Sequence, residues 1–293
     1  MAVTIGRQPE ISRLARFSLT TADAAGLARF YESAFGFRRV ASQRLSGNAF
    51  EKSMDIGGGA ERIILALGQE RLELLQFDRP GRPYPGDSSA SDPIFQHFAI
   101  VAADIDRAYE RLTAIPGWAA ISSRGPQRLP IASGGVTAFK FRDPEGHPLE
   151  LLAFPDGDMP ARWRSSHRGN PCLGIDHSAL SVADSARSVG FYAEHGLRIS
   201  NRFINFGPAQ GRLDGLHAPR VEIVALAPHQ ATPHVELLCY QSIPRAHRID
   251  LQNNDIAATR LVFETSDRSN AERGGYMRDP DGHHLLLIPS GDE

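Results

Sequence analysis

The sequence predicts an α+β protein made of repeated β-α-β-β-β modules, the fourth of them truncated. Three observations carry that prediction. Four short runs share one form: "ARFSLTTAD" at 15–23, "QHFAIVAAD" at 96–104, "DHSALSVAD" at 176–184 and "TRLVFETSD" at 259–267 mix apolar and β-branched residues and end in Asp. One strand-turn-strand is written nearly twice, as "FRDPEGHPLELL" at 141–152 and "MRDPDGHHLLLI" at 277–288. The composition is that of a globular chain, 41% hydrophobic and 23% charged, and 293 residues suffice for two domains with cores of their own.

The elements follow in order. After the first strand, "AAGLARFYESAFGF" sets Leu27, Phe30, Tyr31 and Phe35 on one helical stripe, with Asp23 as N-cap and Gly36 as the stop. "RIILAL" and "RLELLQF" are the closing strands of that module. The Gly-rich "GGGAE" at 57–61 lacks the Gly-Lys-Ser/Thr ending of a phosphate loop and reads as a turn. The second module runs through "DIDRAYERLTAIPG", "GVTAFKF" and "PLELLAF"; the third through "DSARSVGFYAEHGL", "RVEIVAL" and "HVELLCY", with Phe191 and Tyr192 inward. In the third first-strand Ser178, Leu180 and Val182 point one way and His177, Ala179 and Ser181 the other.

The fourth module has only "RSNAERGG" between its first strand and "YMRDPDGHHLLLI", too little for an ordinary packed helix. Asp143, Pro144 and Gly146 supply turn geometry, and His147, His283 and His284 read as turn or surface residues. The Pro/Gly/Arg-rich stretch around 159–172 reads as a linker. It divides an N-terminal domain, 1–158, holding modules one and two, from a C-terminal domain, 173–293, holding modules three and four.

A net charge of −2 argues against a broad nucleic-acid surface, and "RWRSSHR" at 162–168 reads as solvated linker. No apolar run reaches the roughly 20 residues of a membrane span, and the first residues lack the apolar stretch of a secretion signal. Two cysteines, Cys172 and Cys239, make no disulfide framework, so a cytoplasmic location is expected. A small-molecule partner is expected, with no nucleic acid and no membrane, for a monomer or homodimer.

The helix motifs "FYESAFGF" and "FYAEHGL" and the strand-turn-strand "RDPEGHPLEL" resemble those of the vicinal oxygen chelate superfamily, which includes glyoxalase I, extradiol ring-cleaving dioxygenases and bleomycin-binding proteins. The resemblance spans nearly the whole chain. It implies that modules pair into cup-shaped sheets, each module offering a metal ligand early in its first strand and another in its last. Position by position these are Arg16 and Glu73, His97 and Glu150, His177 and Glu236, and Arg260 and Leu286.

Three pairings are open. Modules three and four together place Arg260 and Leu286 where a histidine and a carboxylate are needed, and an arginine does not give up its proton to a metal. Modules one and two together give His97, Glu150 and Glu73 beside Arg16. Modules two and three together give His97, Glu150, His177 and Glu236, similar to the ligand set of glyoxalase I, and leave every unsuitable position to modules one and four. That economy favours the crossed pairing. The resemblance then implies a divalent Zn, Ni, Co, Mn or Fe acting as Lewis acid, with Glu150 or Glu236 moving a proton and with Arg16 and Tyr240 touching substrate. It points to a glyoxalase I-like lyase or isomerase; a ring-cleaving dioxygenase and a non-catalytic small-molecule (antibiotic) binder are the alternatives.

Overall fold

The computed structural model describes residues 10–164, 169–230, 233–241, 243, 250–265 and 275–291. The first module comprises β1 (Ile11–Thr20), α1 (Ala24–Phe35), β2 (Arg38–Leu45), α2 (Asn48–Met54), β3 (Ala60–Leu67) and β4 (Glu70–Phe77). The second comprises β5 (Gln96–Ala102), α3 (Ile105–Thr113), two short strands β6 (Ala119–Ala120) and β7 (Gln127–Arg128), then β8 (Thr137–Arg142) and β9 (Pro148–Ala153). A single turn, α4 (Ala161–Arg164), precedes the third: β10 (Cys172–Ser181), α5 (Ser185–Glu194), β11 (Arg198–Phe206), α6 (Pro208–Asp214), β12 (Arg220–Ala227) and β13 (His234–Tyr240). The fourth holds β14 (Arg260–Thr265), β15 (Tyr276–Arg278) and β16 (His284–Pro289). Residues 266–274, where the sequence leaves no room for a full helix, lie outside the described residues.

The strands form two sheets, and the modules are crossed between them. One sheet runs β15-β16-β14-β1-β4-β3-β2 and joins modules one and four. The other runs β11-β12-β13-β10-β5-β9-β8-β6 and joins modules two and three. At each centre two first strands meet antiparallel, β1 with β14 and β10 with β5. The division into 1–158 and 173–293 is therefore one of sequence and not of sheets. The reason is edge pairing: each first strand finds its antiparallel partner in the other half of the chain.

The repeated turn explains how two crossed sheets become one body. Tyr31 of α1 donates to Asp143 Oδ2 at 2.9 Å, and Tyr192 of α5 donates to Asp279 Oδ2 at 3.2 Å. His147 Nε2 meets the Thr20 carbonyl at 2.9 Å, and His283 Nε2 meets the Ser181 carbonyl at 2.9 Å. Each "RDPxGH" turn thus ties its own module to the preceding one, across the two sheets. The expectation of turn placement holds for Asp143 and Gly146, but His147, His283 and His284 are buried, not surface, residues. His147 and His283 reach backbone carbonyls that the packed sheets would otherwise strand without partners, and His284 Nδ1 lies 3.0 Å from Asn253 Oδ1.

Asp23 caps α1 by accepting from Gly26 N at 2.9 Å, and Gly36 closes the helix at φ 76°, a left-handed turn that suits glycine. One apolar cluster runs through all four modules and includes Phe17, Tyr31, Phe98, Leu180 and Phe263. Phe17 and Phe98, from the two central strands, lie 5.5 Å apart between ring centroids. The helices pack on these faces, so each sheet keeps its opposite, concave face for other work. The strands β2 and β11 and the short helices α2 and α6 were not individually assigned from sequence; β2 and β11 are largely exposed edges and lack a clear apolar alternation.

Candidate functional site

The cup of modules two and three is built on a local two-fold relation. In the β5–β10 ladder His97 stands opposite Ala179, and His177 stands opposite Ala99. Parallel neighbours add Glu150 beside Ala99 and Glu236 beside Ala179. All four polar side chains share the concave face, and the two alanines between them leave space. The rings of His97 and His177 lie 5.8 Å apart. His97, Glu150 and His177 each bring a donor atom within 4.8 Å of the other two. Glu236 stands outside that mutual approach: it lies 3.6 Å from His177 Nε2 and 3.5 Å from His234 Nε2. Asp176, His177 and His234 form a second such group.

The surroundings break the symmetry. Opposite Glu150 in the β8–β9 ladder is Lys140, whereas opposite Glu236 in the β12–β13 ladder is Ala225. Lys140 Nζ donates to Asp214 Oδ1 at 2.7 Å and lies 3.7 Å from Glu150 Oε2. Asp214 in turn accepts from Gln210 Nε2 at 2.7 Å and from the Tyr240 hydroxyl at 3.0 Å. Asn205 continues the chain by donating to Gln210 Oε1 at 3.1 Å. A cavity of about 330 Å³ opens above these groups, walled by Leu129, Val136, Phe154, Leu213 and Ile223.

Charge follows from burial and neighbours. Burial opposes the His177 imidazolium, but Glu236 and a hydrogen bond to Asp176 outweigh it and raise its pKa to about 9. For Glu236 burial works upward, while His177 and His234 pull the carboxyl down to about 2. Glu150 is lowered despite burial, through His97 and Lys140. Burial would lower the Lys140 pKa, yet Asp214 and Glu150 raise it. His97 goes the other way, lowered by burial and by Lys140. Its Nε2 lies 3.2 Å from Glu150 Oε2, an ion-pair distance, but neither ring nitrogen has a hydrogen bond of acceptable angle. His97 thus carries buried ring nitrogens with no hydrogen bond formed, one of them facing Glu150. Four carboxylates, those of Asp176, Glu150, Asp214 and Glu236, thus gather in the cup around Lys140 and three imidazoles.

The structure brings together His97, Glu150, His177 and Glu236, and Tyr240 lines the same cavity with its hydroxyl committed to Asp214. Arg16 does not belong there, and its expected contact with a substrate of this cavity is corrected: it stands in the other sheet, donating to Glu73 Oε1 at 3.2 Å. Sequence reasoning missed Lys140, Asp176, Asp214 and His234. Strand parity offered a signal for two of them, because Lys140 faces Glu150 across one hairpin and His234 shares a face with Glu236 two residues on.

The cup of modules one and four holds Arg16, Glu73, Arg260 and Leu286. Arg260 is fully buried, with Nη1 donating to the Asn253 carbonyl and Nη2 to Thr20 Oγ1, each at 2.8 Å. Burial lowers its pKa to about 10. Leu286 packs with Leu75, Phe77 and Val262. Among the described residues this cup offers no cluster of three metal-binding donors.

Comparisons with known proteins agree with this architecture. Residues 13–151 match the profile described as Glyoxalase/Bleomycin resistance protein/Dioxygenase superfamily. No curated protein sequence matches the chain. Among solved structures, glyoxalase I from Zea mays aligns with a TM-score of 0.60 at 17% identity, over 95% of this chain and 92% of that one. A structure titled putative dioxygenase from Bacillus subtilis aligns with a TM-score of 0.57 at 11% identity, over 97% and 86%. Such identities establish the fold and leave the reaction to the site. The superfamily profile thus matches residues 13–151, just under half of the chain, while the fold of glyoxalase I is shared along nearly its whole length.

Proposed function

We propose that this chain is a metal-dependent enzyme acting on a small oxygenated substrate by glyoxalase I-like lyase or isomerase chemistry. The observation that carries the proposal is the convergence of His97, Glu150 and His177, with buried His97 ring nitrogens that form no hydrogen bond. An unsatisfied buried polar atom is costly, and a cation bound to it relieves that cost. Two imidazoles and a carboxylate, with Glu236 as a fourth donor nearby, suit Zn, Ni, Co, Mn or Fe, and the carboxylates gathered in the cup favour a dication. When bound, the ion supplies Lewis acidity toward two neighbouring substrate oxygens.

The side chains divide the remaining tasks. We assign Glu236 as the base because it lies outside the mutual approach of the other three donors and faces the same cavity. His234, 3.5 Å away, orients that carboxylate. Lys140 is held protonated by Asp214 and sets a fixed positive charge beside Glu150, where it stabilises negative charge developing on a substrate oxygen. Tyr240 and Gln210 act by fixing Asp214. The apolar wall excludes water from the reacting atoms.

One observation favours a second reading. The three mutually close donors are two histidines and one carboxylate, the pattern of non-haem Fe(II) oxygenases, which supports ring cleavage of a catechol. Metal analysis followed by two assays separates the readings. Purified protein reloaded with each metal is expected to retain one ion per chain, and His97→Ala and His177→Ala are each expected to lose it; a wild-type chain that holds no metal would leave a non-catalytic binder. With metal retained, Glu236→Gln is expected to cost about 10²–10⁴-fold in proton transfer. Oxygen uptake with a catechol in the Fe(II) form would instead select ring cleavage.

A further inference from the structure

Among the described residues the sheet of modules one and four gathers no three metal donors, but its module-one strands line a cavity, and the groups there point to a different ligand. The cavity measures about 300 Å³, within the range of small-molecule sites, and is lined by Arg16, Arg62, Arg71, Gln43, Val40 and Ile64 among others. Arg16 Nε and Arg62 Nε both donate to one atom, Glu73 Oε1, at 3.2 and 2.6 Å. Glu73 is buried, and the two arginine side chains are only 11% and 12% exposed.

That arrangement has three consequences. Sharing one carboxylate through Nε fixes both guanidinium planes. It also leaves the terminal amino groups of both arginines without a hydrogen-bond acceptor among the described residues. One carboxylate faces two guanidiniums, so a positive charge is left over. Arg71 adds another at the rim, where among the described residues its guanidinium bonds the carbonyls of Gln69 and Glu70 and no carboxylate. Beneath them Arg260 bonds a carbonyl and hydroxyls rather than a carboxylate. Nearby, Arg13 is paired with Glu264 and contributes nothing net. Two largely buried guanidiniums with free forks are built to receive a planar or tetrahedral oxyanion in bidentate fashion.

We propose that this cup is a second ligand site, which takes the oxyanion group of a small organic acid between Arg16 and Arg62. Val40, Ala41 and Ile64 supply an apolar wall for the body of the molecule. The site is separate from the His97 cavity, on the other sheet, and does not rest on the proposed metal chemistry.

Calorimetric titration of the full-length protein with benzoate and with phenyl phosphate tests the assignment, with neutral benzamide as control. Saturable binding of either anion, weakened at least ten-fold by Arg62→Met and by Arg16→Met and unchanged by His97→Ala, is expected. The stronger of the two probes identifies the ligand as a carboxylate or a phosphate ester. Should either methionine variant fail to fold, Arg62→Lys keeps the charge and loses the fork, and a partial loss of affinity is expected. On the wild-type protein, nuclear magnetic resonance is expected to show the Arg16 and Arg62 side-chain Nε–H signals shifting with added anion. The proposal is overturned if neither anion binds, if benzamide binds equally well, or if binding follows His97 rather than the arginines.

Discussion

At the scale of single residues, Lys140 is the group that most distinguishes this cup from a bare set of metal donors. It is buried, and its charge is held by Asp214 at 2.7 Å with Glu150 behind at 3.7 Å. Removing one partner of a buried ion pair strands the other, so Lys140→Met and Asp214→Asn are each expected to cost about 3–5 kcal/mol by urea unfolding. The double variant is expected to recover a large part of that loss. Additive losses would show that the two side chains do not act as a pair. The family resemblance pointed to His97, Glu150, His177 and Glu236, which fall at matching places in repeated strands and which the sheet places on one face. Sequence reading missed Lys140 because "GVTAFKF" reads as an apolar strand with one polar exception, and only the hairpin register sets that exception opposite Glu150. Asp214 was less legible still, since it comes from α6, a short helix with no apolar stripe to announce it.

At the scale of elements, the repeated turn is a lock. Asp143 accepts from Tyr31, from the backbone of Glu145 and His147, and from the His147 ring. Tyr31→Phe removes one of these bonds and is expected to cost about 1–3 kcal/mol. His147 has acceptors at both ring nitrogens: Asp143 at Nδ1, and the Thr20 and Ile256 carbonyls at Nε2. Burial works against its charged form, but Asp143 outweighs burial and the pKa is raised. A raised histidine pKa stabilises the fold fully below about 6.5, the unfolded value, and the contribution is lost as pH rises through the folded value. The stability gap between wild type and His147→Gln is therefore expected to be largest near pH 5 and to shrink above pH 6.5, as read from denaturant midpoints. A gap that widens with pH would show that His147 is held neutral. The turn geometry was legible from Asp, Pro and Gly; the burial of its histidines was not, because their partners are carbonyls of a distant module.

At the scale of the whole molecule, the crossed pairing makes the two sequence halves interdependent. A fragment spanning 1–158 would present β1 and β5 as open edges, each having lost an antiparallel partner in the other half. Fragments 1–158 and 173–293 are expected to be unfolded or self-associated when alone and to regain a cooperative transition when mixed. A monomeric, cooperatively folded 1–158 would contradict that dependence. Here the sequence was unusually legible: grouping suitable ligands apart from unsuitable ones favoured modules two and three, and the β5–β10 ladder now places His97 and His177 on one face. What composition could not reveal was the work left to the other cup, where the guanidiniums of Arg16 and Arg62 converge only after folding. The most direct measurement is an anomalous difference map from a crystal of the metal-loaded protein, recorded at the absorption edge of the bound metal. The account predicts one peak in bonding contact with His97, Glu150 and His177; a peak held by Asp176 and His234 without His97, or one in the arginine-lined cup, would contradict it.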